Sequence, residues 1–152
     1  MTPGASYSFK VEARNTVGFS LYSEVLTILC AQPPDQIDPP TTVESASQVT
    51  LTWDAPWNGG SQITAYQIKF LQSDDTTYTE TTSLCDGSQS ATIASRICII
   101  ASTSFTEAPY NLEWGTSVYA TIRATNVKGD SVVSLAGNGA VILRIPDAPV
   151  NL

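Results

Sequence analysis

Apolar and polar residues alternate with a period of two along most of this chain, the signature of half-buried strands. Tyr7, Phe9, Val11 and Ala13 fall on one face of the first segment, with Ser8, Lys10, Glu12 and Arg14 on the other. Asn15-Thr16-Val17-Gly18 predicts a turn, and a second strand is expected near Leu21 to Leu29, making a hairpin. Val43 to Ser45 predicts a further strand, and Val49, Leu51 and Trp53 alternate with Thr50 and Thr52 in the next. Tyr66, Ile68 and Phe70 share a face opposite Gln67 and Lys69, and a turn at Ser73-Asp74-Asp75 leads into Thr77 to Thr81. After the Cys85–Cys98 region a long irregular passage runs through Pro109 to Leu112, with room for a helical turn. Val118, Ala120, Ile122 and Ala124 are then expected to point inward, followed by strands over Val132 to Leu135 and Ala140 to Leu143. No sustained 3.6-residue pattern occurs. Many short strands separated by turns predict an all-β sandwich.

The first hairpin returns later. The stretch from Gly4 to Gly18 reappears from Gly115 to Gly129, and both glycines move by 111 positions. A period of that size is one β-domain rather than one turn of a solenoid. The chain therefore opens on what is the end of a domain in its second copy. The expected division is 1–30, the last two strands of an incomplete domain; 31–40, a Pro-rich linker; 41–145, a complete domain; and 146–152, a linker and the first strand of a following domain. Pro33, Pro34, Pro39 and Pro40 stiffen the linker, and Pro146-Asp147-Ala148-Pro149 echoes Pro34-Asp35. A lone hairpin is marginal in water. Leaving Tyr7, Phe9 and Val11 wet forgoes roughly 1.5–3 kcal/mol for each large side chain. These residues, with Val150 and Leu152 at the other end, are the candidate domain or subunit contacts.

Composition narrows the function. Apolar residues make up 42% of the 152 and charged residues only 14%, which argues against disorder. No run approaches the roughly 20 apolar residues of a membrane-spanning helix, so no membrane insertion is expected in this segment. The net charge is −7 and the seven Lys and Arg are scattered, which disfavours nucleic acid as a partner. Histidine is absent, which removes Ser-His-Asp and Cys-His catalysis and, with the cysteine spacing, a zinc site. Gly59-Gly60 lacks the residues of a phosphate loop, and Asp74-Asp75 reads as a solvated turn. No enzyme activity, cofactor or metal is expected.

Three cysteines remain. Cys85 and Cys98 flank the turn residues Asp86-Gly87-Ser88, and a disulfide between them would contribute about 3 kcal/mol. Two buried thiols in a reducing compartment are the alternative; the Ser/Thr-rich, all-β composition favours the disulfide and an extracellular or cell-surface location. Cys30 either pairs between molecules or stays a half-buried thiol. No Met-proximal secretory signal is present, so an extracellular product implies a segment of something longer. No Asn-x-Ser/Thr sequon occurs. Thr76, Thr77, Thr79, Thr81 and Thr82 form the candidate O-glycosylation cluster, although threonine is equally expected in an edge strand.

Leu51-Thr52-Trp53 with Pro56, and Asn58-Gly59-Gly60-Ser61 with Ile63 and Tyr66, resemble the fibronectin type III family around its second and third strands. Thr2-Pro3-Gly4-Ala5-Ser6-Tyr7 resembles its tyrosine corner, and Ala13-Arg14-Asn15-Thr16-Val17-Gly18 the end of its sixth strand. The likeness covers nearly the whole chain and implies fibronectin type III-like (immunoglobulin-like) β-sandwiches in tandem, the N-terminal one incomplete. The Pro-Asp-x-Pro punctuation is similar to that of long tandem arrays predicted in ciliated protists. Two features depart from the family. Val118 occupies the corner position of the complete domain, and the Cys85–Cys98 pair is foreign to the usual pattern; a local staple replacing the lost corner is the expectation.

The resemblance also directs attention to Lys128-Gly129-Asp130, in the loop where some relatives carry an Arg-Gly-Asp adhesion site. Gly129 corresponds to Gly18, where no such tripeptide exists, so the glycine is expected to serve the turn through a positive φ. Asp35, Asp38 and Asp147 sit at the joints, too few for the about six to eight oxygens calcium takes. The expected role is a structural repeat unit of an extracellular fibre or long tandem array. Its expected partners are copies of itself or neighbouring repeats, head to tail, with strand complementation between neighbouring domains. The alternative is an adhesion or receptor ectodomain that binds a protein ligand through its loops.

Overall fold

The computed structural model describes residues 1–146. Strands β1 (Ser6–Phe9) and β2 (Leu26–Leu29) form a two-stranded antiparallel hairpin. The strands of the sandwich are β3 (Thr41–Ser45), β4 (Gln48–Thr52), β5 (Ala65–Leu71), β6 (Tyr78–Thr79), β7 (Ile97–Ala101), β8 (Ser117–Val118), β9 (Ala120–Asn126), β10 (Gly129–Asp130) and β11 (Ala140–Val141). One layer has the order β3-β4-β7 and the other β10-β9-β5-β6, while β8 pairs with β11. Every pairing is antiparallel.

The period-two pattern explains this core. Val49 and Leu51 on β4 and Cys98 and Ile100 on β7 face Tyr66, Ile68 and Phe70 on β5 and Ala120, Ile122 and Ala124 on β9. Ile68 lies opposite Ile122 in the β5–β9 register, so the two inward rows meet directly. At the end of the sandwich where Phe70 pairs with Ala120, an aromatic group closes the core. Phe70, Phe105 and Tyr110 stand with ring centroids 5.1–6.0 Å apart. The buried Tyr110 hydroxyl donates to Thr81 Oγ1 at 2.8 Å. Phe105 ends a 3₁₀ turn over Ser102–Phe105, which lies within the irregular passage where a helical turn was expected.

The corner reading divides between the two copies. In the hairpin Thr2 N–H donates to Tyr7 Oη at 2.6 Å, the bond that defines a tyrosine corner. In the sandwich Val118 is fully buried in the equivalent place, and Tyr119 turns away to lie against Gly139. The disulfide is not the substitute expected there. Cys98 pairs with Leu51, next to the Thr52–Ile97 end of the sheet, whereas the stretch leading to Val118 is anchored by Phe105, Tyr110 and Leu112.

Other expectations are corrected. The strand expected over Leu21 to Leu29 is confined to Leu26–Leu29, and Val132 to Leu135 is not a strand. In both places serine hydroxyls interrupt the ladder. Ser131 N–H donates to Ala124 O, but Ala124 N–H returns to Ser131 Oγ rather than to its carbonyl; Ser134 and Ile122 repeat the arrangement. Ser20 with Ala13 and Ser23 with Val11 do the same 111 positions earlier. Between the cysteines, after the turn residues Asp86-Gly87-Ser88, α1 (Ser90–Ser95) forms, ended by Arg96 at φ +57°. Finally, the Pro-rich stretch is not all linker, because Ile37 is buried in the sandwich core and Pro34 and Pro40 are buried beside it.

Candidate functional site

Backbone packs closely against backbone where the hairpin meets the sandwich. Asn58-Gly59-Gly60, the loop between β4 and β5, sits against Gln32-Pro33 on one side and Pro3-Gly4 on the other. Gln32 N–H donates to Gly59 O at 2.9 Å, and Asp35 N–H to Trp57 O at 3.0 Å, so the joint runs beside the loop as an added backbone segment. Gly59 has φ +70° and Gly60 φ +84°, conformations that a side chain strains. Space forbids one as well. A Cβ on Gly59 would overlap Gln32 O and stand 2.6 Å from Pro33 O, and one on Gly60 would overlap Gly4 N and stand 2.8 Å from Pro3 C.

Asn126, at the end of β9, locks this arrangement. Its buried side-chain amide donates to Gln32 O at 2.8 Å and to Asn58 O at 2.7 Å, while Oδ1 accepts Lys128 N–H at 2.7 Å. One amide thus holds the joint, the glycine loop and the β9–β10 turn together. On the hairpin side Gly4 N–H donates to Cys30 O at 2.7 Å and Cys30 N–H to Ala5 O at 2.9 Å. The chain consequently enters the joint from a closed pair of strands. Cys30 itself is half-buried and carries a free thiol.

The hairpin face presents the other candidate residues. Tyr7 lies opposite Ile28 and Phe9 opposite Leu26, which places these four on one side. Tyr7 is half-buried, but Phe9 is 43% and Val11 70% exposed. Their counterparts in the sandwich, Val118, Ala120 and Ile122, are fully buried. Val150 and Leu152, and Asp147 of the acidic set, lie outside the described residues.

Lys128-Gly129-Asp130 is a structural turn. Gly129 has φ +127°, as expected, and the turn sits beside Pro33 of the joint. The Asp130 carboxylate is occupied from both sides, by Arg123 Nη1 at 3.2 Å and by the Thr125 hydroxyl at 2.6 Å. Gly18 does not share the positive φ; its N–H instead donates to Asn15 Oδ1.

The threonine cluster is partly engaged. Thr76, Thr77 and Thr82 are exposed, whereas Thr79 and Thr81 are half-buried and accept bonds from Gln72 and Tyr110. Asp74 accepts the Thr76 and Thr77 N–H groups and, at 2.5 Å, the Thr77 hydroxyl. These donors, the Thr77 hydroxyl foremost, hold the Asp74 carboxyl at a pKa of about 2. Bonds from Gln89 and Ser88 lower that of Asp86 in the same way. Cys85 and Cys98 are joined in a disulfide within the core, with Cα atoms 5.7 Å apart. Among the described residues no three His, Cys, Asp or Glu side chains gather, and no helix is long and apolar enough to cross a membrane.

The joint residues escaped the sequence reading. Asn58-Gly59-Gly60-Ser61 was legible only as a turn leading into a strand, and Asn126 only as the repeat of Asn15. What distinguishes Asn126 is its grip on Gln32, a residue 94 positions away.

Known proteins resemble this chain in sequence and in shape. Over 72 residues, or 46% of the chain, it is 38% identical to the fibronectin type-III domain-containing protein 3A of Homo sapiens and of Mus musculus. The match spans only 6% of the length of those relatives. Among solved structures, titin domains A168–A170 align over 95% of this chain and 43% of theirs, with a TM-score of 0.63 and 19% identity. The sixth fibronectin type III domain from human fibronectin type III domain containing protein 3 aligns over 80% of this chain and 96% of its own, with a TM-score of 0.55 and 18% identity. Residues 33–137 match the family model of the fibronectin type III domain, and the chain belongs to that family.

Proposed function

We propose that this chain is a structural repeat unit of an extracellular fibre or long tandem array, in which successive fibronectin type III domains are held head to tail. The observation that carries the reading is the joint. A hairpin that repeats the end of the sandwich is fixed to the start of that sandwich by two glycines, a proline pair and a buried amide. Flexible linkage would need none of these.

The exposed Phe9, Val11, Leu26 and Ile28 support strand complementation, because the equivalent face is buried in the sandwich. A neighbouring sheet covering them would recover roughly 1.5–3 kcal/mol per large side chain. The core disulfide favours an oxidising, extracellular setting. The Pro-Asp-x-Pro spacing agrees with the long arrays it resembles. Adhesion through Lys128-Gly129-Asp130 is the weaker reading, since Asp130 is already held by Arg123 and Thr125. Electron microscopy of native material, labelled with an antibody to this domain, tests the proposal. Beaded strings with a regular label spacing are expected; isolated labelled particles would overturn it.

A further inference from the structure

The internal repeat carries the joint's geometry to the opposite end of the sandwich. At the hairpin, Gly4 has φ +83° and its N–H donates to Cys30 O, while Cys30 N–H donates to Ala5 O. At the far end, Gly115 has φ +94°, its N–H donates to Ile142 O at 2.8 Å, and Ile142 N–H donates to Thr116 O at 3.0 Å. Gly115, Thr116 and Ile142 thus reproduce Gly4, Ala5 and Cys30. The segment that follows is displaced by 112 rather than 111 positions, so Leu143, Arg144, Ile145 and Pro146 take the places of Ala31, Gln32, Pro33 and Pro34.

One difference separates the two corners. Gly4 packs against Gly60, whose Cα and carbonyl oxygen stand 3.6 Å from where a Cβ on Gly4 would be. Among the described residues nothing stands within 4 Å of the same position at Gly115. Around it are exposed apolar groups: Leu143 is 57% and Ile145 86% exposed, and Trp114, in the place of Pro3, is only partly covered by the core.

We infer that the Trp114-Gly115 corner, with Leu143 and Ile145, is a preformed acceptor for the Asn58-Gly59-Gly60 loop of a second copy of this domain. The occupant follows from continuity with the joint already formed. The same corner in the hairpin receives that loop, and the loop's glycines admit a backbone where any side chain would collide. Ile145 offers an apolar side chain where Pro33 meets Gly129, so the acceptor keeps the character of its model. This rests on the head-to-tail reading, which it extends to a named contact.

The test is a covalent tandem of residues 1–145 followed by residues 34–152 of a second copy, which preserves the joint's spacing. Heteronuclear NMR of this protein and of the single chain is compared. The amides of Trp114, Gly115 and Thr116 are expected to shift in the tandem, and the two sandwiches to share one rotational correlation time. Gly60→Val in the second copy alone should return those amides to their single-chain positions. Ile145→Asp in the first copy, at an exposed position, should weaken the contact without touching the loop. Unshifted corner amides and independently tumbling sandwiches in the unmutated tandem would overturn the inference. Failure here leaves the microscopy of native arrays standing, and a rigid tandem would survive the absence of such arrays.

Discussion

Replacing Asn126 with alanine removes three hydrogen bonds at once. The side chain is 4% exposed, so its two donor bonds to Gln32 O and Asn58 O lie in poor reach of water. Each bond contributes about 0.5–1.5 kcal/mol net. Lys128 is exposed and its N–H can turn to solvent, which leaves the two carbonyl bonds as the main loss. Asn126→Ala is therefore expected to destabilise the chain by about 1–3 kcal/mol. With a urea dependence of about 2 kcal/mol per molar, the unfolding midpoint should fall by about 0.5–1.5 M. Asn126→Asp separates the bonds from the volume. It keeps the acceptor for Lys128 N–H but turns a carboxylate oxygen towards two carbonyl oxygens. That repulsion raises the folded pKa of the new aspartate above its unfolded value of about 3.9. Its protonated form is accordingly favoured by folding, and the deficit relative to asparagine grows as pH rises through the raised pKa. Equilibrium urea unfolding near pH 3 and at pH 7 measures both variants, and ¹⁵N relaxation of residues 4–29 reports whether the hairpin still tumbles with the sandwich. An Asn126→Ala chain within 0.5 kcal/mol of wild type, or an aspartate variant indifferent to pH, would refute the role given to this amide.

The double variant Cys85→Ser, Cys98→Ser should lose about 3 kcal/mol, read as a lower thermal midpoint that reductant no longer alters. An NMR titration of the Thr76 and Thr77 amides should report an Asp74 pKa of about 2. Because that pKa is depressed, the turn's contribution is complete above the ordinary value near 3.8 and is lost as pH falls towards 2; titration at the ordinary value would contradict the bonds described. Tyr110→Phe removes the bond to Thr81 but keeps the aromatic packing, so a loss of about 1 kcal/mol in urea unfolding is expected.

The core was legible because burial on one face of a strand imposes a period of two. Val118, Ala120, Ile122 and Ala124 could be assigned inward from spacing alone, and all four are fully buried. The cysteine pairing was likewise open to reading. Turn chemistry was legible only in part. Ser131 and Ser134 lie in a stretch rich in strand-forming valine, and only the geometry shows their hydroxyls standing in for backbone carbonyls. Ser20 and Ser23 repeat them at the same offset, a signal available in the sequence but meaningful only once the bonds are known. The joint was least visible. Glycine is required at residues 59 and 60 partly because of what lies opposite, and proximity to Gln32 and Gly4 follows from the assembled fold rather than from local pattern.

Those serines also govern how domains of this kind can be crowded together. A regular outer strand beside β9 would offer its free backbone groups to any similar strand nearby. Here residues 131–139 form no strand, and the Ser131 hydroxyl also satisfies the carbonyl of Val132 at 2.9 Å. The hairpin is treated identically, with Ser20 and Ser23 bonded to Leu21 O and Glu24 O. The flank is left without a template for lateral pairing. In the proposed array neighbours would be added along the axis, and this flank of the sandwich would not recruit a strand sideways.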